Sequence, residues 1–202
     1  MFVQVIQGQV SDAGQVRAAL DRWVRELAPG ATGWLGSTAG VTEDGRFVAL
    51  VRFASEEEAR RNSDRPEQDQ WWAETSKLFI GEAAFRDSRN VVVDVFGQPD
   101  EAGFVQVIQG RTSDPARGWV VLGQSSAERA AFRPDVIGRV AVEHDGGAYT
   151  MALYFTSEAA AREGESKEPP PDLKAQMEEM RALNVGQPEY FDLRQPWLYS
   201  PR

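Results

Sequence analysis

The sequence predicts an α+β chain built from two tandem copies of one βαββαβ unit. Two observations carry this expectation: an internal repeat, and the order of elements within each copy. FVQVIQG at Phe2–Gly8 returns at Phe104–Gly110, and an offset of 102 residues then aligns the halves without a gap for about 60 positions. Along that stretch Ser11-Asp12 meets Ser113-Asp114, Leu20 meets Leu122, Gly36 meets Gly138, and Phe53-Ala54-Ser55-Glu56 meets Phe155-Thr156-Ser157-Glu158. Roughly 20 of 61 positions are identical. Repetition on this scale marks a duplicated supersecondary unit of about 95 residues. A position that keeps its chemistry in both copies meets a shared structural demand, and one that changes marks where the halves part.

Each copy opens on an apolar run (2–8; 104–110) with apolar residues on both parities, the pattern of a strand covered on both faces. Asp12 and Asp114 follow as helix N-caps, because a carboxylate accepts the free amides of a helix start, and Pro115 suits a first helical position. Helices are expected over 12–28 and 114–132. Strands follow at 33–42 and 46–53, and at 136–143 and 148–155. They flank Glu43-Asp44-Gly45 and Asp145-Gly146-Gly147, turn residues that tolerate positive φ. The next helices start at Ser55 and Ser157 with glutamate in the first turn. They break near Pro66 and Pro169-Pro170-Pro171 and resume to about 80 and 184. Last strands close the units at 82–95 and 187–193.

This order is the split βαβ arrangement of ferredoxin-like domains. The expected boundaries are 1–97 for the first repeat, 98–103 for a linker, 104–194 for the second repeat and 195–202 for a docked tail. In the tail, Trp197, Leu198 and Tyr199 lie between Pro196 and Pro201. Proline disfavours regular structure there, so the aromatics are expected to dock without forming any.

Composition narrows the function. The 202 residues carry 31 acidic and 22 basic side chains, a net charge of −9, which argues against nucleic acid and anionic membrane surfaces as partners. Only 3 of the basic residues are lysine, a bias of GC-rich, bacterial genomes. Absence of cysteine removes disulfides, thiolate chemistry and Cys-ligated zinc, and the single histidine, His144, removes multi-histidine metal sites. The MFVQVIQG start has no basic leader, and no window is apolar enough to span a bilayer, so a cytoplasmic protein is expected.

Two such units in one chain resemble the dimeric α/β-barrel superfamily, which includes antibiotic-biosynthesis monooxygenase-like proteins and haem-degrading monooxygenases. The resemblance covers nearly all of the chain. It rests on the element order, on FVQVIQG, and on Phe53-Ala54-Ser55-Glu56-Glu57-Glu58-Ala59 followed by Glu67-Gln68-Asp69-Gln70-Trp71-Trp72-Ala73-Glu74. It implies two sheets packed face to face as an intrachain dimeric α/β barrel, in a pseudo-twofold monomer or a homodimer. The haem-degrading members need a histidine roughly ten residues beyond the tryptophan of the second helix. Counting on from Trp71 or Trp72 reaches Ile80, Gly81 and Glu82, so haem degradation is not implied. Neither a cofactor nor a metal is expected.

Candidate residues follow from the places where the copies agree or differ. Gln4 and Gln106 lie near the first-strand asparagine of the superfamily's oxygenases; with Gln7 and Gln109 they could equally form an amide network, since a buried amide must find partners. Trp71, Thr75 and Leu78 share a helical stripe with counterparts Leu173, Met177 and Met180, which reads as core. Trp72 and Phe79 match the charged Lys174 and Arg181, so they should form an extra apolar patch for a ligand, a partner chain or the tail. Trp23-Val24 becomes Ser125-Ser126, and every methionine beyond Met1 lies in the second half. That pairing predicts either repacking or a small-molecule pocket lined by Met151, Tyr154, Met177 and Met180. Arg52 shares strand parity with Val48 and Leu50 and should be partly buried and paired. His144 reads as a solvated turn residue. No catalytic set can be named. Two functions stand: non-catalytic binding of a small apolar or aromatic ligand or a partner chain, and a cofactor-independent monooxygenase-like activity on an aromatic or polyketide-like substrate. The second would draw on Gln4, Trp34, Arg52 and Trp72 in the first half, with Gln106 and Tyr154 in the second.

Overall fold

The structure, a computed structural model, describes residues 1–123 and 126–201. The chain forms two compact units, Met1–Val91 with Gln195–Arg202, and Val92–Arg194.

The first unit runs β1 (Phe2–Val10), α1 (Ala13–Glu26), β2 (Trp34–Val41), β3 (Arg46–Phe53), α2 (Glu56–Ser63), α3 (Pro66–Thr75) and β4 (Phe79–Ser88). The second runs β5 (Val91–Val95), β6 (Phe104–Arg111), α4 (Pro115–Gly123), α5 (Ser126–Phe132), β7 (Val136–Glu143), β8 (Ala148–Phe155), α6 (Glu158–Glu165), α7 (Pro171–Leu183) and β9 (Glu189–Leu193). A last strand, β10 (Trp197–Tyr199), completes the first unit. The antiparallel sheets have the orders β10-β2-β3-β1-β4 and β5-β7-β8-β6-β9, so each unit is ferredoxin-like with one added edge strand.

Local chemistry explains the starts of the helices. Asp12 Oδ1 accepts from Gln15 N at 3.0 Å, and Asp114 Oδ1 accepts from Arg117 N at 2.9 Å. Ser55 Oγ accepts from Glu58 N at 3.2 Å and Ser157 Oγ from Ala160 N at 3.1 Å. Each such cap stabilises its helix by about 1 kcal/mol. Register repeats as well: Phe2 faces Phe53 as Phe104 faces Phe155, and a bulge at Trp34–Gly36 returns at Val136–Gly138. Gly36 must be glycine, since its φ is +121° and a Cβ there would stand 2.6 Å from the Tyr199 carbonyl oxygen.

Two expectations change. The strand expected at 82–95 is two strands in different sheets, separated at Arg89-Asn90, where the Asn90 amide donates to Ser88 Oγ at 3.0 Å. The tail is regular after all, because β10 pairs Trp197–Tyr199 with Ala39–Ser37. Its prolines lie outside those three residues, so the edge ladder loses no donor. Val3, Val5, Val48 and Leu50 are fully buried on one face of the first sheet, as Val105, Val107 and Val142 are in the second. The opposite faces carry the helices and hold the site.

Candidate functional site

Between helices and sheet, the first unit is filled by tryptophan. The Trp23 ring meets Trp34 edge-on with centroids 5.2 Å apart, and Trp71 at 6.4 Å. Each indole N–H is satisfied: Trp23 donates to Gln68 Oε1 at 2.5 Å, Trp34 to Ser37 Oγ at 3.0 Å and Trp71 to the Ala19 carbonyl at 3.0 Å. Burial with the polar end paired is how such rings stabilise a core. The remaining space is about 80 Å³, with Gln4 and Trp72 in its wall.

At the same place the second unit holds a cavity of about 590 Å³. The offset of 102 residues explains the difference, since Val136 stands for Trp34 and Leu173 for Trp71. Met151, Met177 and Met180 line it, with Trp119, Phe132 and Tyr149; Met177 is 49% exposed, so the stripe it shares with Leu173 is not core throughout. Such a volume accommodates a drug-sized ligand. Ser125, with the Ser126 side chain, lies outside what is described, so the exchange for Trp23-Val24 has no structural account.

Tyr154 and Gln106 are not among the lining residues. On β8, Met151, Leu153 and Phe155 face the cavity, so Tyr154 falls on the other sheet face, where it is buried. Gln106 Nε2 donates to Asp192 Oδ1 at 2.9 Å, and Asp192 is held in turn by Arg162 of α6. Gln109 Nε2 donates to Thr150 Oγ1 at 3.1 Å, and the same hydroxyl lies 3.0 Å from His144 Nε2. His144 is therefore buried, not solvated, because Thr150 draws the ring inward.

In the first unit, Trp72 is half-buried against Phe79 and Phe85. Phe79 is buried rather than exposed, since the helix stops at Thr75 and Phe79 begins β4, edge-on to Phe47 at 5.4 Å. Arg52 is half-buried as expected but has no ion pair among the described residues, and its Nε lacks a hydrogen-bond partner. Strand parity fixed its depth and could not supply a carboxylate. Its cross-strand neighbours are Val3 and Gly36.

Sequence reasoning missed the polar part of the cavity wall. Arg139 of β7 is only 4% exposed; its Nε donates to Asp94 Oδ2 at 2.8 Å and its Nη2 to the Leu122 carbonyl at 3.1 Å, while Nη1 is buried without a partner. Arg129 reaches Gln176 Oε1 at 3.4 Å, and burial, then repulsion from Arg139, pushes its guanidinium below the usual arginine range. Arg133 is held bidentately by Asp135 at 2.9 and 2.7 Å. Tyr149 donates to Asn184 Oδ1 at 3.1 Å, and burial, followed by Tyr190, raises its phenol. A signal existed, since Arg139 replaces Ser37 at a position flanked by core residues in both copies. Among the described residues, no group of three or more His, Asp or Glu could hold a metal, and no helix is long and apolar enough to cross a membrane.

No known protein-family model matches the chain. A curated relative, a 31 kDa chloroplastic ribonucleoprotein of Nicotiana sylvestris, is 28% identical over 130 residues, covering 64% of this chain; the match spans only 39% of that protein's length. Among solved structures, a candidate monooxygenase from Lactobacillus acidophilus NCFM superposes with a TM-score of 0.76 at 11% identity, covering 98% of this chain and 95% of that one. An anthrone oxidase-like protein superposes at 0.66 and 11% identity, over 98% and 93%. At these identities the likeness is one of fold: the chain has the duplicated ferredoxin-like α+β fold of monooxygenase-like proteins.

Proposed function

We propose that the second unit binds a small, largely apolar organic molecule between its helices and sheet, while the first unit is the filled and stabilising copy. The contrast of about 590 Å³ against about 80 Å³ at the same place in the two copies carries this reading. Methionines suit such a wall because their unbranched chains repack around varied shapes. Native mass spectrometry of freshly purified protein, followed by titration with the neutral apolar dye N-phenyl-1-naphthylamine, tests it. One dye per chain is expected, displaced by any co-purified molecule; no retained mass and no dye uptake would overturn it.

A second reading, cofactor-independent oxygenation of an aromatic substrate, draws support from the fold shared with the candidate monooxygenase and the anthrone oxidase-like protein. In such chemistry the substrate carries the reactivity, and the protein supplies an apolar pocket and a few donors. Here those donors would be Tyr149 and Arg139, not the first-strand Gln106, which lies outside the cavity lining. Oxygen uptake with a phenolic tricyclic substrate separates this from binding alone. RNA binding is not favoured. RNA-recognition strands present exposed aromatics to stacked bases, whereas the third-position strand here carries Val48 and Leu50, both fully buried, in a chain of charge −9.

A further inference from the structure

We propose that the ligand of the second unit is an organic anion: an aromatic molecule whose single anionic group sits against Arg139, its apolar body against the methionines. This rests on the binding function proposed above and adds the charge class of the ligand. Arg139 and Arg129 are two cations close enough to repel, and Asp94 is the carboxylate that acts on both. A buried positive charge left without a counter-charge is costly, and an Arg139 Nη1 that is buried and unpartnered is a donor facing the same deficit. An anion delivered by the ligand supplies the missing counter-charge, and a guanidinium is well shaped to bind it.

The surroundings agree. Five basic residues line this cavity: Arg129, Arg133, Arg139, Lys167 and Arg181. Its two acidic lining residues, Glu143 and Glu165, are engaged by Trp119 Nε1 and by Arg162. Arg133, Lys167 and Arg139 are paired with Asp135, Glu163 and Asp94, which leaves Arg129 and Arg181 as the lining cations without an ion pair among the described residues. The first unit supplies the control, since its small cavity has no charged lining residue, and Ser37, which stands where Arg139 does, is occupied by the Trp34 indole.

Two dyes of similar aromatic body separate charge from apolar binding: 8-anilino-1-naphthalenesulfonate, whose sulfonate stands in for the anionic group, and neutral N-phenyl-1-naphthylamine. Loss of a charge-assisted hydrogen bond weakens binding by about 10- to 100-fold. Arg139→Met should therefore raise the sulfonate dye's Kd by at least about tenfold and move the neutral dye by less than about twofold. Arg139→Met leaves Asp94 unpaired, so Arg129→Gln, which breaks no ion pair, serves as the second variant. It should weaken the sulfonate dye alone, by about threefold or more, with unchanged thermal unfolding. If both dyes move together in the folded variants, or the sulfonate dye does not respond, the anion site is overturned and the apolar cavity stands. If neither dye binds the native protein, both the anion site and the proposed function fall.

Discussion

Where Trp34 donates to Ser37 in the first unit, the second unit has Val136 and Arg139. The two places share a strand, a bulge and a register, so the backbone does not distinguish them. What differs is side-chain volume and charge: an indole capped by a hydroxyl in one copy, a shortened aliphatic beside a buried guanidinium in the other. Removing buried rings and admitting a charge both cost stability, which a single-copy domain could ill tolerate. Duplication allows one copy to keep its packed core while the other holds open space, a division expected where function and stability compete.

The largest expected effect tests that division directly. Trp34→Ala in the first unit should lower unfolding stability by about 3–5 kcal/mol, because a fully packed ring leaves a cavity its neighbours cannot close. Leu173→Ala, at an equally buried position beside the existing cavity in the second unit, should cost about 2–3 kcal/mol, the lower part of the range for leucine. Urea denaturation followed by far-UV circular dichroism measures both. Equal losses would show that the second unit's cavity is as tightly supported as the first unit's core.

The next test exchanges the two interiors. Val136→Trp combined with Arg139→Ser places the first unit's pair in the second unit. Adjacent substitutions couple, so they are made together. Binding of both naphthyl dyes should fall by at least about tenfold as the space fills, while the midpoint sets the filled volume against an Asp94 left without Arg139. Retained dye binding would place the ligand site elsewhere.

The fold was legible because duplication and capping are written in short-range patterns: FVQVIQG, Asp12 and Asp114, Ser55 and Ser157. The methionines entered through composition, since every one beyond Met1 lies in the copy that loses Trp23-Val24; helical spacing relates Met177 to Met180 and says nothing of Met151 on β8. Tyr154 does not join them, because alternation on β8 sends it to the face opposite Met151. Phe79 departs from the helical spacing of Trp72 because α3 ends at Thr75 and the chain turns into β4 at Phe79. Arg139 escaped notice because its partner, Asp94, lies on β5, a strand that sequence order assigns to the first repeat and hydrogen bonding assigns to the second sheet. Long-range strand exchange leaves no local mark.

Alkaline pH offers a smaller effect that also compares the units. Burial, then a 2.7 Å hydrogen bond to Asp21, raises the Tyr199 phenol well above its usual range; burial raises Tyr149 in the second unit. A phenol raised by folding stays protonated in the native state while the unfolded chain ionises from about pH 10. Its contribution is therefore complete below pH 10 and is lost progressively above it. Unfolding midpoints measured from pH 8 to 11.5 should fall with pH. Tyr199→Phe should flatten that decline more than Tyr149→Phe, since Tyr199 is the more strongly raised. An unchanged slope in both variants would assign the alkaline loss to other groups.

The smallest effect is expected at the helix surface, where both units repeat a device with different residues. Arg22 of α1 pairs with Glu74 of α3 at 2.8 Å, and Arg117 of α4 pairs with Glu179 of α7. In each case the arginine side chain is 40% or more exposed and water screens the pair, so the lowered carboxyl of Glu74 and the raised guanidinium of Arg117 describe contact more than stability. Glu74→Gln should leave the unfolding midpoint unchanged within error, at low and high salt alike. Glu179→Gln should behave the same if α4 and α7 are held by apolar contact around Leu173. The helices beneath that pair flank the cavity, however, so dye binding is the sharper readout. If Glu179→Gln changes dye affinity without moving the midpoint, the ion pair sets the width of the cavity mouth, and the contrast between the two units extends from their interiors to their surfaces.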